Sequence, residues 1–165
     1  RSTLFPYTTL FRSTNIAKAF GMRTIVCTRT PNPLIENPVD AEQLFKQSDF
    51  LTLHAPLTEA TRGIVNEKNI SLMKETAVII NTARGALVDE NAVRKALDTG
   101  RIAGYAADVV SEEPMKADNP LLGAPNCLLT PHIAWAATET RQRLLDIVIA
   151  NIRCFIAGCP QNVVS

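Results

Sequence analysis

Five short apolar segments of this sequence each run directly into residues that can bind a ligand or move a proton. These polar groups are Thr28-Arg29, His54, residues 81–85 (NTARG), Asp108 and residues 130–132 (TPH). In open α/β sheets, ligands bind in the crevice beyond the carboxyl ends of the strands. If the segments are neighbouring strands, two imidazoles, two guanidiniums and one carboxylate share a cleft. Polar residues often follow a strand, but five such groups in succession indicate a ligand site.

The same residues argue against several other kinds of site. No histidine lies at ligand spacing from the neighbouring acids Asp108, Glu112 and Glu113, so we expect no metal. The GxSxG turn of the α/β-hydrolases does not occur. Neither GxxxxGK[ST] nor GxGxxG is present, so no phosphate-binding loop points to a nucleotide.

The elements that would position these groups alternate along the chain. We predict strands over residues 24–28, 50–54, 77–81, 104–108 and 127–130, whose apolar character is typical of parallel strands covered on both faces. Helices are predicted after the N-cap residues Asp40 and Asp89, and over residues 138–157 before Gly158. Because each parallel crossover needs a connecting element, the alternation favours an α/β fold with a doubly wound parallel sheet.

The first 13 residues do not fit this alternation. Residues 1–3 (RST) recur at 12–14, and residues 3–5 (TLF) recur at 9–11, a repeat that resembles translated adapter or primer sequence. Our hypothesis is that residues 1–13 are non-native, and the alternative is a genuine N-terminal arm. From Thr14 we expect a helix that ends at Gly21, with no strand before it. Residues 4–11 are a candidate for the vacant strand position, but Pro6 makes them a poor central strand.

Length, composition and charge predict one soluble domain of ordinary character. The chain has 165 residues, 46% of them hydrophobic, and a net charge of +1, which gives no reason to expect a nucleic acid or a membrane as partner. Four cysteines, at positions 27, 127, 154 and 159, form no CxxC pair. We therefore expect free, buried thiols and a cytoplasmic location.

Several motifs together resemble one enzyme family. Residues 81–90 (NTARGALVDE), residues 104–109 followed by Glu112-Glu113-Pro114, and residues 130–133 (TPHI) are similar to signatures of the D-isomer-specific 2-hydroxyacid dehydrogenases. Residues 54–58 and 61–63 fit the same family, and residues 117–121 and 133–136 favour its glycerate dehydrogenase, or hydroxypyruvate reductase, branch. The resemblance implies a Rossmann-type NAD-binding domain over residues 14–137 that lacks its native first strand and glycine loop. It implies a helix and tail over 138–165 that return toward an absent catalytic lobe, and a homodimer when full length.

The resemblance also implies roles for individual residues. Arg84 matches the arginine that holds the substrate carboxylate, His132 the acid–base group, and Glu113 the carboxylate that orients the imidazole. The positions that would contact the cofactor are Thr28, Arg29, Thr30, Ala55, Pro56, Thr61, Thr82, Ala83, Asp108 and Ala134.

Two departures from the family pattern leave alternatives open. NAD-dependent members typically carry an Asp where this chain has Thr28-Arg29-Thr30, so both NAD and NADP are candidates. Without the glycine loop, we expect this chain by itself to bind dinucleotide poorly and to turn over little. The leading interpretation is an NAD(P)-dependent oxidoreductase that interconverts a 2-keto acid and a D-2-hydroxy acid, with hydroxypyruvate and D-glycerate as the first pair. The alternatives are a dinucleotide-sensing, corepressor-like protein and an inactive fragment of the dehydrogenase.

Overall fold

The computed structural model of the chain describes residues 6–30 and 32–163. The described helices and strands, in chain order, are α1 (Pro6–Ala19), α2 (Ala41–Gln47), β1 (Phe50–Leu53), α3 (Glu67–Ile70), β2 (Val78–Asn81), α4 (Glu90–Asp98), β3 (Gly104–Ala107), β4 (Cys127–Leu129) and α5 (Thr138–Ile156). They divide into two compact units, of which one holds the described residues up to Pro131 and the other begins at His132.

The first unit is built on one parallel sheet with the order β1-β2-β3-β4. In its register Leu51 is paired with Ile79, Ile79 with Tyr105, and Tyr105 with Cys127. Ile79, in a central strand, is fully buried, and the core continues into α2, α3 and α4 through Phe45, Ile70 and Val93. The predicted α/β fold with a parallel sheet is confirmed, as are four of the five predicted strands.

The predicted strand over residues 24–28 is wrong. Val26 forms only an isolated parallel bridge with Pro38, in which the Val39 amide donates to the Val26 carbonyl at 2.9 Å. In a Rossmann-type sheet, whose strand order is 3-2-1-4-5-6, the second strand pairs with the third strand on one side and with the first on the other. No described residue forms a strand on the free side of β1, so the 24–28 segment has a neighbour on one side only. That neighbour includes Pro38, which has no amide proton to extend a ladder.

The helix boundaries follow the capping residues that the sequence indicated. Asp40 accepts a hydrogen bond from the Gln43 amide at 2.7 Å, and Asp89 accepts from the amides of Asn91 and Ala92 at 3.0 and 3.1 Å. The helix expected to end at Gly21 is α1, which begins as early as Pro6, so the described part of residues 4–11 is helical and fills no strand position. The short helix α3, capped by Asn66, was not anticipated.

The second unit contains α5, the helix predicted over residues 138–157. None of its residues is buried, and the predicted apolar stripe is exposed along the helix, at Leu144, Leu145, Val148, Ile152 and Phe155. A boundary between residues 137 and 138 stays a prediction. Within the described part of the chain, no helix has both the length and the apolar character that crossing a membrane requires.

The four cysteines are free, but the expectation that they are buried is wrong. Cys27, Cys127 and Cys154 are half-buried, and Cys159 is exposed. Cys127 lies in the outermost strand of the sheet and Cys27 in the segment that the sheet does not include, so neither is covered on both sides. Partial burial still raises the pKa of the Cys27 and Cys127 thiols.

Candidate active site

Asn81, the last residue of β2, fixes the loop that carries Arg84. Its side chain is fully buried; the amide nitrogen donates to the Arg84 carbonyl at 2.9 Å, and the amide oxygen accepts from the Ala83 amide at 3.0 Å. These two bonds fold the backbone of residues 82–84 back onto the end of the strand. The side chains of Thr82 and Arg84 are left exposed, and the Arg84 guanidinium donates to the Ala83 carbonyl at 2.6 Å. Arg84 therefore presents a solvent-accessible guanidinium from a fixed backbone.

Gly85 brings the loop after β2 into direct contact with the loop after β3. A Cβ at position 85 would overlap the carbonyl group of Val110 and the amide nitrogen of Ser111. Gly85 is buried and begins a 3-10 turn that ends at Leu87. Only glycine permits this backbone approach, so the residue type follows from a close contact between two loops and not from an unusual φ angle.

Glu90 ties the loop after β3 to helix α4. Its carboxylate is buried and accepts three hydrogen bonds: from the Ser111 amide at 2.7 Å, from the Ser111 hydroxyl at 2.8 Å and from the Asn119 side-chain amide at 2.9 Å. Glu113 lies between these two partners, is exposed, and accepts from the Val110 amide at 3.3 Å. Sequence reasoning gave Glu90 no role, because a glutamate in the first turn of a helix is usually solvated.

Asp108 connects the ends of β2, β3 and β4. It is buried; its carboxylate accepts from the Thr130 hydroxyl at 2.5 Å, and its amide donates to the Asn81 carbonyl at 3.0 Å. The Thr130 amide in turn donates to the Ala107 carbonyl at 2.9 Å. A carboxylate and a hydroxyl are thus held at the carboxyl edge of the sheet, beside the strand whose loop carries Arg84.

The loop after β1 is shaped by Thr61. The Thr61 hydroxyl donates to the Pro56 carbonyl at 2.7 Å and accepts from the Thr58 amide at 2.8 Å. Before this loop, His54 Nε2 lies 2.8 Å from the Thr52 hydroxyl, and partial burial lowers the pKa of the imidazole. This local hydrogen bond accounts for His54 without a catalytic role.

The predicted site residues are not all brought to one place. Arg84, Asp108 and Glu113 follow the adjacent strands β2 and β3, and Ala55, Pro56 and Thr61 follow β1. Thr28, Arg29 and Thr30 form a local turn outside the sheet, in which the Thr28 hydroxyl donates to the Thr30 carbonyl at 3.0 Å.

Two further predicted residues, His132 and Ala134, belong to the second unit. Both are exposed; His132 has a φ of 55°, and its carbonyl accepts a hydrogen bond from the Trp135 indole at 2.9 Å.

The described donor set fits the amide end of a nicotinamide better than it fits a metal. A buried carboxylate and a hydroxyl at the strand ends can pair with a carboxamide, as Asp108 and Thr130 are arranged here. Among the described residues, no group of three or more His, Cys, Asp or Glu side chains could hold a metal ion. The pyrophosphate of a dinucleotide calls for a glycine-rich turn, which this sequence does not contain.

A parallel α/β sheet with these groups beyond the carboxyl ends of its strands defines an α/β domain with a ligand-binding edge. Comparison with known families is more specific. The chain belongs to the family described as D-isomer specific 2-hydroxyacid dehydrogenase, NAD binding domain, which matches residues 12–134.

Individual relatives agree with this assignment. The chain is 47% identical to a hydroxypyruvate reductase of Blautia hydrogenotrophica over 154 residues, which are 91% of this chain and 48% of the relative. It is 45% identical to a glycerate dehydrogenase of Methylorubrum extorquens, over 90% of this chain and 47% of that protein. Among solved structures, an acyclic imino acid reductase in complex with NADPH and D-Arg matches with a TM-score of 0.81 at 39% identity, over 92% of this chain and 48% of that one. The chain thus spans about half the length of the relatives it matches.

We predict that Gly85→Ala lowers the free energy of unfolding by about 3 kcal/mol, because the added methyl group overlaps backbone that cannot move alone. Gly100→Ala is the matched control: Gly100 has a φ of 67° and open space around its Cβ position. There the cost is backbone strain alone, about 1 kcal/mol. Urea denaturation of both variants measures the difference. Equal losses would show that the contact with Val110 and Ser111 is not tight.

A second prediction concerns the pH dependence of stability. Burial lowers the pKa of His54 below its ordinary value of 6.5, so the folded chain binds this proton more weakly than the unfolded chain does. The contribution of His54 to stability is therefore present above pH 6.5 and is lost as the pH falls below it. The free energy of unfolding, measured by urea denaturation at pH values on both sides of 6.5, should fall less on acidification in His54→Asn than in the unaltered chain. An unchanged loss of unfolding free energy in His54→Asn would refute the assignment.

Proposed function

We propose that the full-length protein carrying this chain is an NAD(P)-dependent oxidoreductase that interconverts a 2-keto acid and a D-2-hydroxy acid. Hydroxypyruvate and D-glycerate are the substrate pair that we propose first, in line with the hydroxypyruvate reductase and glycerate dehydrogenase among its relatives. One observation carries the proposal: Arg84 and Glu113 stand on two loops that Gly85 and Glu90 hold together beyond adjacent strands.

Arg84 would bind the substrate. Its guanidinium is exposed, while Asn81 and Gly85 fix the backbone beneath it. A guanidinium stays protonated at any physiological pH and presents a planar fork that matches a carboxylate. The same group can reach the adjacent carbonyl oxygen of a 2-keto acid, so one side chain both holds and orients the reacting carbon.

His132 and Glu113 would handle the proton. When bound, the nicotinamide supplies a hydride to the carbonyl carbon of the keto acid. The His132 imidazolium then donates its proton to the carbonyl oxygen, which balances the charge and yields the hydroxy acid. Glu113 is the carboxylate that would orient the ring, the role that the family resemblance implies for it.

The remaining predicted residues would line the cofactor. Asp108 would accept from the nicotinamide carboxamide, and the others would contact the dinucleotide partly through backbone groups: Ala55, Pro56, Thr61, Thr82, Ala83 and Ala134. The family description favours NAD, whereas the absence of an acid among Thr28, Arg29 and Thr30 favours NADP, whose 2′-phosphate pairs with arginine and hydroxyl groups. The proposal includes a homodimer, which the family resemblance implies, and a cytoplasmic location, which the cysteine pattern led us to expect.

The proposal predicts that the full-length protein reduces hydroxypyruvate with NADH or NADPH, followed by the loss of absorbance of the reduced nicotinamide. His132→Ala should lower kcat by about a thousandfold, since the proton donor is lost. Arg84→Lys should mainly raise KM, since a point charge replaces a bidentate fork. Arg141→Ala, at an exposed arginine of α5, is the matched control and should leave both constants unchanged.

Dinucleotide binding without reduction of any 2-keto acid would contradict the proposal and support a sensor that needs no acid–base pair.

A further inference from the structure

Glu90 stands out among the acidic residues of the first unit because it is buried and accepts three hydrogen bonds from one distant segment. It is 8% exposed, and within the described part of the chain its carboxylate accepts from residues 111 and 119, which lie 21 and 29 positions further along. Glu113, the carboxylate proposed to orient the imidazole, lies between those two anchor points. We infer that Glu90 is a positioning residue that places Glu113 for the reaction, an inference that rests on the proposed function.

The hydrogen-bond partners of position 90 require a carboxylate there. The Ser111 amide and hydroxyl both donate to Glu90. Asn119 must also donate, because its side-chain oxygen already accepts from the Leu121 amide at 2.9 Å and so its nitrogen faces Glu90. Three donors converge on two oxygens, and both oxygens must therefore be acceptors. An amide at position 90 would direct its own N–H groups at the Asn119 nitrogen.

A second residue of α4 secures the far end of the same segment. Arg94 lies one helical turn after Glu90 and donates to the Pro120 carbonyl at 2.9 Å and to the Leu122 carbonyl at 3.2 Å. Residues four apart share one face of a helix, so α4 presents an acceptor and a donor to the two ends of the 111–122 segment. The ion pair between Glu112 and Lys116 is exposed on both sides and adds little by comparison. Glu113 therefore depends on α4 for its position.

The test exchanges acceptor and donor between positions 90 and 119 in the full-length protein. Glu90→Gln alone places two N–H donors face to face, and Asn119→Asp alone places two carboxylates together, so each single variant should lower kcat by about ten- to a hundredfold. The double variant Glu90→Gln/Asn119→Asp restores a donor–acceptor pair, because the amide at 90 then faces a carboxylate at 119. It should recover most of the lost kcat. Glu67→Gln, at an exposed glutamate paired with Lys95, is the control and should change nothing.

A second change at position 113 separates positioning from loss of folded protein. If Glu90 acts by placing Glu113, Glu90→Gln should lower kcat little further once Glu113→Gln has removed the carboxylate. Loss of folded protein would lower the rate by the same factor with or without Glu113. An equal factor in both backgrounds, or a Glu90→Gln/Asn119→Asp variant no better than its single variants, would overturn the inference.

Hydrogen exchange separates this inference from the proposed function. In the chain described here, the Ser111 amide should lose its protection in Glu90→Ala, whereas the Asp108 amide, which donates to Asn81, should keep it. If the full-length protein reduces no keto acid but Ser111 loses protection, the proposed function fails and the anchoring of the segment by Glu90 stands. Unchanged protection at Ser111 would overturn the anchoring itself.

Discussion

The candidate site depends on one close approach of backbone to backbone, where Gly85 meets Val110 and Ser111. Parallel strands place their carboxyl ends at one edge of the sheet, but the loops that follow are free to diverge. Here the loop after β2 cannot turn away from the loop after β3 without losing a contact that no side chain could replace. Arg84 precedes this contact and Glu113 follows it, so the spacing of the two groups is decided by the backbone.

Buried polar side chains reinforce that contact. Asn81, Glu90 and Asp108 are all buried near the strand ends, where an unpaired amide or carboxylate would cost several kcal/mol. Each is hydrogen-bonded: Asn81 to its own loop, Asp108 to Thr130 after β4, and Glu90 to Ser111 and Asn119. Because their partners lie in different loops, these bonds stabilise one arrangement of the edge over others. The exposed functional groups are thereby supported by buried ones.

Much of this could be predicted from the sequence, and the failures have physical causes. Asp40 and Asp89 were recognisable as caps because capping is a local interaction. The parallel sheet followed from the alternation of apolar segments and helices. The residues around Val26 are typical of a strand, but a strand also needs neighbouring strands to pair with. Whether such neighbours are present depends on tertiary structure, and Val26 has only the isolated bridge with Pro38. Glu90 was given no role because its burial does not follow from its residue type, and the half-buried cysteines were misjudged for the same reason.

The central claim is that Arg84 and Glu113 work from two loops that are locked together. A crystal structure of the full-length protein with a reduced dinucleotide and oxamate, an unreactive analogue of a 2-keto acid, tests it most directly. We expect the oxamate carboxylate to pair with Arg84, and Gly85 and Glu90 to keep their contacts with the loop after β3. An oxamate carboxylate bound away from Arg84, or a 111–119 segment released from Glu90 in the complex, would contradict it.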